Sequence, residues 1–518
     1  MADVTYKRKG LSWPKLALCS LAAVLALGYV IKVNRHTPTV EARELQVYCA
    51  AGVRLPVEAA AKQYEAEYGV KIRLDYDSSG GLESKLKLDR DNGKIRADVY
   101  IPADISFANR AAENGLTAEI IPLAKFQLVV GIDPSVEVEV TSIDDLIDGK
   151  LVYGICEPVA GAGKLTKKVV EQLGKYEQLT KNKKVSFTRV TEVANAVAVT
   201  KGLDAGIIWD TTARQFKLKM VVIPEFEQAQ SSIVGSVVAG SSNPTDALRF
   251  IRYLAAPEKG RALFEENLFT VPDTPGDAWA VVPKITVYCG GVNRNAVEAT
   301  MREFEKREGC EILEEFAGCG KLVAGIRATA GDDFKKGFPD AFMTCDASYM
   351  AKVQELFDMP VDVSSTHIVM LVRKGNPKGI RTLKDLAQPG LAIGTTDPKV
   401  STLGDLSHQL LRDAGVMNAI ELQKSIAVTT PTAHELILQM EGHGKLDVAL
   451  VYEANCNELL DTFDLVPVDH PLATAVQNIA VARKSRYPDL SARLMKQNLS
   501  VQSRERFESN GFTWQATP

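Results

Sequence analysis

Histidine is scarce in this sequence, and neither sign of charge dominates it. The 518 residues include 6 histidines, and 61 basic against 65 acidic side chains leave a formal net charge of −4. No basic excess points to nucleic acid as a partner, and no acidic tract points to a disordered tail. No histidine lies between His36 and His367, so any serine–histidine pair is confined to the later part of the chain.

The signatures of common catalytic and metal sites are also missing. The sequence has no phosphate-binding P-loop, no nucleophile-elbow glycine pattern and no C-x-x-C pair. We therefore expect a protein that is not an enzyme and that needs neither a cofactor nor a zinc-type metal site.

Long apolar runs are absent apart from residues 16–31. Lys7, Arg8, Lys9 and Lys15 precede this run, which is the pattern of an export signal. The run is shorter than the ~20 residues that span a bilayer, but flanking lysines can extend such a helix. We expect an uncleaved anchor within residues 1–36 and a stalk at 37–44, with a cleaved signal peptide as the alternative. The basic end stays in the cytoplasm, so the remainder is expected on the periplasmic or another extracytoplasmic face.

A long internal repeat organises the rest of the chain. LQVYCAAGV, starting at Leu45, returns as ITVYCGGVN at Ile285, and Cys49 and Cys289 are 240 residues apart. Later segments keep nearly the same spacing, because ADVYIPADIS matches PDAFMTCDAS and LDAGIIWDTTA matches LDVALVYEANC. So long a repeat with so little drift predicts two domains of one topology.

Within each copy, short apolar strands alternate with amphipathic helices. This alternation predicts an α/β fold with parallel sheets and crossover helices. In the middle of each copy, FQLVVGID and HIVMLVRKGNP are apolar runs at which the chain should cross into a second lobe. We expect one bilobal domain at residues 45–270, a proline-containing linker at 271–283 and a second bilobal domain at 284–516.

The strand-to-helix turns are the candidate binding positions. In open parallel sheets, ligands lie beyond the carboxyl ends of the strands, where helix N-termini present free N–H groups. Small residues let the backbone approach a ligand, and hydroxyl groups add neutral donors. The predicted contacts in the first copy are Gly52, Ser78, Ser79, Gly80, Ala162, Trp209 and Thr211, and those in the second copy are Gly291, Cys319, Ser401 and Tyr452.

Both copies resemble the periplasmic molybdate-binding proteins, a branch of the type II solute-binding proteins of ABC importers. The segment THIVMLVRKGNPKGIRTLKDLAQPGLAIGTTDP of the second copy and the SSGGL turn of the first carry the likeness. The resemblance places Ser79 where the family holds the oxyanion with a serine, Ala162 at a backbone donor, and Trp209 or Tyr452 at the family's tyrosine. It implies capture of a molybdate- or tungstate-like oxyanion in an interlobe cleft and delivery to an ABC permease in the membrane.

The sequence also departs from that family. Glycine (Gly52, Gly291) replaces the serine of the first turn in both copies, and Cys319 stands where the first copy has Ser79. A thiol is a weak hydrogen-bond donor, which argues against oxyanion binding by the second copy. The alternative function is an extracytoplasmic sensor or scaffold, with the second copy binding a soft metal or nothing.

Of the 8 cysteines, Cys19 lies in the export segment and seven lie beyond it. Cys289, Cys319 and Cys345 each end a predicted strand, so they should converge at one cleft, with Cys456 approaching from the other side. One interpretation is a disulfide such as Cys289–Cys319, or simply buried thiols. The other is a thiol-lined site for a soft ion or a thiophilic oxyanion. We also interpret Asp98 and Asp340 as caps or inter-strand hydrogen-bond acceptors, and His434 as a helix-face residue.

Overall fold

The computed structural model describes residues 44–516, apart from 273, 332–336 and 443–444. The expected export segment and nearly all of the stalk lie outside the described residues, as does His443, which we interpret from the sequence as a surface-turn residue. Among the helices of residues 44–516, none is long and apolar enough to cross a membrane.

The first copy alternates strands and helices as expected. Its strands are β1 (Glu44–Ala50), β2 (Lys71–Asp77), β3 (Val99–Ile101), β4 (Thr117–Ile132), β5 (Tyr153–Cys156), β6 (Val185–Phe187), β7 (Ala205–Trp209), β8 (Lys219–Val221) and β9 (Gln230–Val238). Its α-helices are α1 (Arg54–Tyr68), α2 (Ser79–Asp91), α3 (Ile105–Glu113), α4 (Asp144–Ile147), α5 (Gly161–Gln172), α6 (Tyr176–Asn182), α7 (Val190–Ala198), α8 (Asp210–Gln215), α9 (Pro244–Ala255) and α10 (Ala262–Glu266).

The long strand β4 joins the two lobes of the first copy. The strand order is β2-β1-β3-β9-β4-β7-β5-β6, with β8 also paired to β4. Residues Thr117–Gln127 of β4 pair with β9 in the first lobe, and Leu128–Ile132 pair with β7 in the second. The apolar run FQLVVGID therefore crosses between the lobes, as predicted.

The sheets are mixed, not parallel as expected. In the first lobe β1 pairs in parallel with β2 and β3, and in the second lobe β5 pairs in parallel with β6 and β7. By contrast, β9 is antiparallel to both β3 and β4, and β4 is antiparallel to β7. The reason is that β4 carries the chain out of the first lobe and β9 brings it back beside β4, so the two must run in opposite directions.

The second copy repeats this topology. Its strands are β10 (Lys284–Gly290), β11 (Glu311–Ala317), β12 (Ala341–Met343), β13 (Val361–Arg373), β14 (Ile393–Thr396), β15 (Ile426–Thr430), β16 (Val448–Tyr452), β17 (Phe463–Pro467), β18 (Thr474–Val481) and β19 (Thr513–Trp514). Its α-helices are α11 (Arg294–Glu308), α12 (Cys319–Thr329), α13 (Ala347–Ala351), α14 (Thr402–Asp413), α15 (Met417–Gln423), α16 (Ala433–Glu441), α17 (Pro488–Asn498) and α18 (Val501–Ser509). The strand order, β11-β10-β12-β18-β13-β16-β14-β15, matches that of the first copy strand for strand.

Local sequence explains where the helices near the clefts begin and end. Ser78 caps α2, because its hydroxyl accepts a hydrogen bond from Gly81 N–H, and Asp104 caps α3 through Ser106 N–H. Gly69 ends α1 in the left-handed conformation, with φ of 68°, which glycine adopts at little cost. Because α2 and α3 begin shortly after strands β2 and β3 end, the first residues of these helices lie at the carboxyl edge of the sheet.

The linker packs against both copies. The Trp279 indole N–H donates to Tyr68 Oη of the first copy (2.8 Å), while the Asp277 carboxylate accepts from Asp489 N–H of the second (2.8 Å). Arg307 of α11 also makes two hydrogen bonds to Glu119 of β4, at 2.7 and 2.8 Å. The linker predicted from its prolines is therefore a packed junction between the copies.

Candidate functional site

The first copy encloses a small cavity between its lobes. The cavity has a volume of about 20 Å³, a little more than one water occupies by this measure. One wall comes from the ends of β1, β2 and β3 and the other from the starts of α5, α7 and α8. Its lining residues are Ala50, Ala51, Gly52, Asp77, Ser78, Ser79, Ala103, Ala160, Gly161, Ala162, Arg189, Val190 and Trp209.

Neutral hydrogen-bond donors face this cavity from both lobes. The Ser79 hydroxyl accepts a hydrogen bond from Ala103 N–H (3.0 Å), which leaves its own proton to be donated. Ala160, before α5, makes no side-chain cap, so the first N–H groups of α5, including that of Ala162, are free for a ligand. Donors of this kind complement an anion without a full opposite charge.

Sequence reasoning missed the charged pair at this cavity. Arg189 Nε, from the second lobe, lies 3.6 Å from the Asp77 carboxylate of the first lobe. The same Nε is buried and has no hydrogen-bond partner among the described residues. The guanidinium can therefore act on a bound anion while it links the lobes. Comparison of the two copies could have revealed this pair. The positions equivalent to Asp77 and Arg189 are Ala317 and Thr432 in the second copy, which therefore lacks both charges.

Other contacts hold the lobes of the first copy together. Gly80 N–H donates to Val159 O (3.0 Å), and Lys164 Nζ donates to Ser106 Oγ (2.7 Å) across the cleft. The Gly80 amide is thus occupied by an interlobe hydrogen bond and does not line the cavity. Trp209 does line it, stacked on Phe126 with ring centroids 4.8 Å apart. Thr211 is fully buried outside the lining.

The cleft of the second copy is much larger, at about 510 Å³. Predicted residues Gly291, Ser401 and Tyr452 line it, as do Cys345 and His434. The Tyr452 hydroxyl is buried without a hydrogen-bond partner in the described part of the chain, and burial raises its pKa well above the usual value. His434, interpreted as a helix-face residue, faces this cavity from the first turn of α16.

Cys319 is buried beside this cavity, in contact with Cys345. The Cys319 thiol donates to Cys345 Sγ, with 3.1 Å between the sulfurs, and Cys345 N–H donates to Cys319 Sγ (3.0 Å). That thiol–thiol hydrogen bond lowers the pKa of Cys345, with burial opposing it, whereas burial raises the pKa of Cys319.

The structure corrects two expectations about the cysteines. The seven cysteines of the described residues are free, buried thiols, which contradicts the Cys289–Cys319 disulfide and agrees with the alternative of buried thiols. The hydrogen-bond partner of Cys319 is Cys345, whereas Cys289 points back to Gly290 O. Cys456 does not approach the cleft either, because it packs in an apolar cluster behind β16 and donates to Tyr452 O.

Strand register corrects the expected equivalence of Gly52 and Gly291, and hydrogen bonds confirm the interpretation of Asp98 and Asp340. Cys49 pairs with Tyr76 and Cys289 with Phe316, so Ala51 is the equivalent of Gly291, and Gly52 is not. Asp98 accepts Gln46 N–H (2.9 Å) and Asp340 accepts Thr286 N–H (2.8 Å), which confirms these aspartates as inter-strand acceptors.

Neither cleft contains a recognisable metal centre. Within the described ranges, no group of three or more histidine, cysteine, aspartate or glutamate side chains is arranged to hold a metal ion. The first cleft offers neutral hydrogen-bond donors and the Arg189 guanidinium, and the second has two adjacent thiols at its edge.

Comparison with known proteins shows several relatives of single-copy length. A Haemophilus influenzae protein named only as a binding protein is 25% identical over 228 residues, covering 44% of this chain and 89% of its own length. The molybdate-binding protein ModA of Mycobacterium tuberculosis is 26% identical, covering 39% and 74% respectively. The periplasmic molybdate-binding protein of Azotobacter vinelandii is a similar solved structure, with 17% identity, a TM-score of 0.38, and coverage of 44% of this chain and 100% of its own.

A family model provides the assignment. The model for bacterial extracellular solute-binding proteins matches residues 45–270 and again 285–513, so the two matches together cover most of the chain. Both matched segments carry the bilobal fold described above. The chain therefore belongs to the bacterial extracellular solute-binding proteins, a family of binding proteins, and carries the family's domain twice in tandem.

Proposed function

We propose that the first copy captures a small tetrahedral oxyanion, with molybdate or tungstate as the favoured ligand, and presents it to an ABC importer. The observation that carries the proposal is the small interlobe cavity bordered by the Ser79 hydroxyl, the free N–H groups of α5 and the Arg189 guanidinium. Molybdate-binding ModA, a relative at 26% identity, supports this choice of ligand.

The hydrogen-bond donors at the cavity favour a compact, strongly charged ligand. Oriented N–H groups and a hydroxyl supply positive potential at short range, and the Arg189 guanidinium adds a charged donor that also faces Asp77 and Glu192. The Asp77 carboxylate opposes an anion, but Arg189 (3.6 Å) and Lys85 (3.7 Å) lie beside it and offset its charge.

The importer role rests on lobe closure. A closed interlobe cleft hides the ligand from water and gives a permease a distinct surface to recognise. The Gly80–Val159 and Lys164–Ser106 hydrogen bonds hold the first copy in such a closed arrangement. We propose that the permease lies in the membrane and that the binding domains lie on its extracytoplasmic side.

Calorimetry with molybdate, tungstate, sulfate and phosphate on the full chain tests this function. We expect molybdate and tungstate to bind with a stoichiometry of one per chain. Ser79→Ala should weaken that binding by about 1–3 kcal/mol, because it removes a buried donor. Ser401→Ala removes a hydroxyl from the second-lobe edge of the second cleft; it is the control and should leave the affinity unchanged. Absence of binding by all four anions would overturn the proposal.

A further inference from the structure

We propose that the cleft of the second copy is a site for a trivalent thiophilic oxyacid, such as arsenite or antimonite, bound through the sulfurs of Cys319 and Cys345. The two thiols follow strands β11 and β12, which flank β10 in the sheet, and their sulfurs lie 3.1 Å apart. Cys345 also lines the large interlobe cavity, so a ligand in the cleft meets Cys345 first, and the buried Cys319 is in direct contact with that thiol.

The sequence around the pair is adapted to hold a second sulfur. The positions of Ala50 and Ala103 in the first copy are occupied by Gly290 and Cys345 in the second. A side chain at Gly290 would lie 2.5 Å from Cys345 Sγ, a distance at which atoms overlap. A side chain there would also lie 2.7 Å from Cys345 N, so glycine at 290 makes room for both the backbone and the thiol of Cys345.

The spacing of the sulfurs indicates the geometry of the bound atom. With a sulfur–ligand bond of about 2.3 Å, the length found for zinc thiolates, sulfurs 3.1 Å apart subtend an angle of roughly 85°. Tetrahedral and linear ions need wider angles. A pyramidal trivalent centre, with two sulfurs and one oxygen, needs an angle close to this one.

Tyr452 supplies a partner for the remaining oxygen. Its hydroxyl is buried and has no hydrogen-bond partner in the described residues, its side chain lines the same cavity, and a buried hydroxyl of this kind is costly unless a ligand satisfies it. The binding step is balanced without an oxidant: As(OH)₃ and two thiols give the dithiolate (RS)₂AsOH and two water molecules. Two S–H and two As–O bonds break, two As–S bonds form, and each thiol proton leaves in a water molecule.

The test uses the full chain with arsenite under a phosphine reductant, since thiol reductants would compete for arsenic. We expect one arsenic per chain, and X-ray absorption should show two sulfurs and one oxygen around it. Cys319→Ser or Cys345→Ser should each weaken binding by at least the roughly 10–100-fold that loss of a supporting partner costs a metal site. Cys456→Ser, a buried thiol behind β16, is the control and should bind as the unchanged chain does.

Tyr452→Phe sharpens the test because it leaves both sulfurs in place. We expect weaker binding with the same two-sulfur spectrum, and circular dichroism should verify that each variant is folded. The proposal is overturned if the reduced chain binds no arsenite, if both serine variants bind as tightly as the unchanged chain, or if the spectrum shows one sulfur. Molybdate binding by the first copy is measured separately, so failure of one proposal is distinguishable from failure of the other.

Discussion

The two clefts share one topology but differ in size and chemistry. The first is about 20 Å³ and carries Asp77, Ser79 and Arg189, whereas the second is about 510 Å³ and carries Ala317, Cys319 and Thr432 at the equivalent positions. The side chains that differ lie at strand ends and helix starts, while the strand order is unchanged. A duplicated scaffold can therefore keep its strand order while a few residues at its turns change the chemistry of the cleft.

The largest expected effect comes from introducing the two thiols of the second cleft into the first. The triple variant Ala50→Gly, Ser79→Cys, Ala103→Cys should lose molybdate affinity by about 100-fold, because it removes a hydroxyl donor and fills the small cavity with a sulfur. Calorimetry measures the loss. Ala50→Gly alone is the control, and retention of near-normal affinity by the triple variant would show that these turns do not distinguish the clefts.

The charge of Arg189 provides a second test. Arg189→Met should weaken anion binding by about 1.5–3 kcal/mol, the usual cost of losing a hydrogen bond to a charged group. Lys167→Met, on the exposed face of α5 beside Glu171, removes the same charge away from the cavity and is the matched control. Equal effects of the two variants in titrations at fixed ionic strength would assign the loss to net charge alone.

The reciprocal change introduces the charged pair of the first cleft into the second. Ala317→Asp with Thr432→Arg is expected to draw the lobes of the second copy together and to slow alkylation of Cys345 by about tenfold, a difference of about 1.4 kcal/mol. Mass spectrometry of the Cys345 peptide follows the rate. Thr432→Arg alone lacks the partner charge and should alkylate close to the original rate. If both variants react alike, the Asp77–Arg189 pair does not explain the difference in cleft size.

The smallest expected effect concerns Asp277 in the linker, which packs against both copies. Burial raises the pKa of Asp277 to about 6, so the folded chain holds this proton more tightly than the unfolded chain does. The resulting stabilisation is complete at low pH and is lost as pH rises through about 6. An asparagine side chain does not titrate, so the Tm of Asp277→Asn relative to the unchanged chain should rise by a few degrees at most between pH 4 and 7. A flat difference in calorimetric scans would contradict this.

Much of the fold was predictable because the repeat and the strand–helix alternation are properties of long segments. The antiparallel strands β9 and β18 were missed, since apolar alternation indicates a strand but not its direction. Ser79 and Ala162 were identifiable from small residues at turns. Arg189 was not, because a charged residue before a helix is usually solvated, and only its contact with Asp77 across the lobes reveals its position.

The cysteine pairing shows the same limit of sequence reasoning. Cys289, Cys319 and Cys345 all end neighbouring strands, and strand order alone does not decide which thiols meet. The decision depends on side-chain direction. Cys289 Sγ turns towards the backbone at Gly290 O, while Cys345 Sγ fits beside Gly290 and reaches Cys319. Positions that change together between the copies would have revealed the pair, because Ala50 and Ala103 of the first copy are replaced by Gly290 and Cys345 in the second.

The stacked Trp209–Phe126 pair gives the chain a built-in optical reporter. Trp209 lines the first cavity, whereas the equivalent position of the second is Tyr452. In a variant with the other three tryptophans replaced by phenylalanine, light absorbed selectively by indole would excite a fluorophore in the first cleft alone. A change in emission on adding a ligand to that variant would report occupation of the first cleft, without separating the halves or attaching a label.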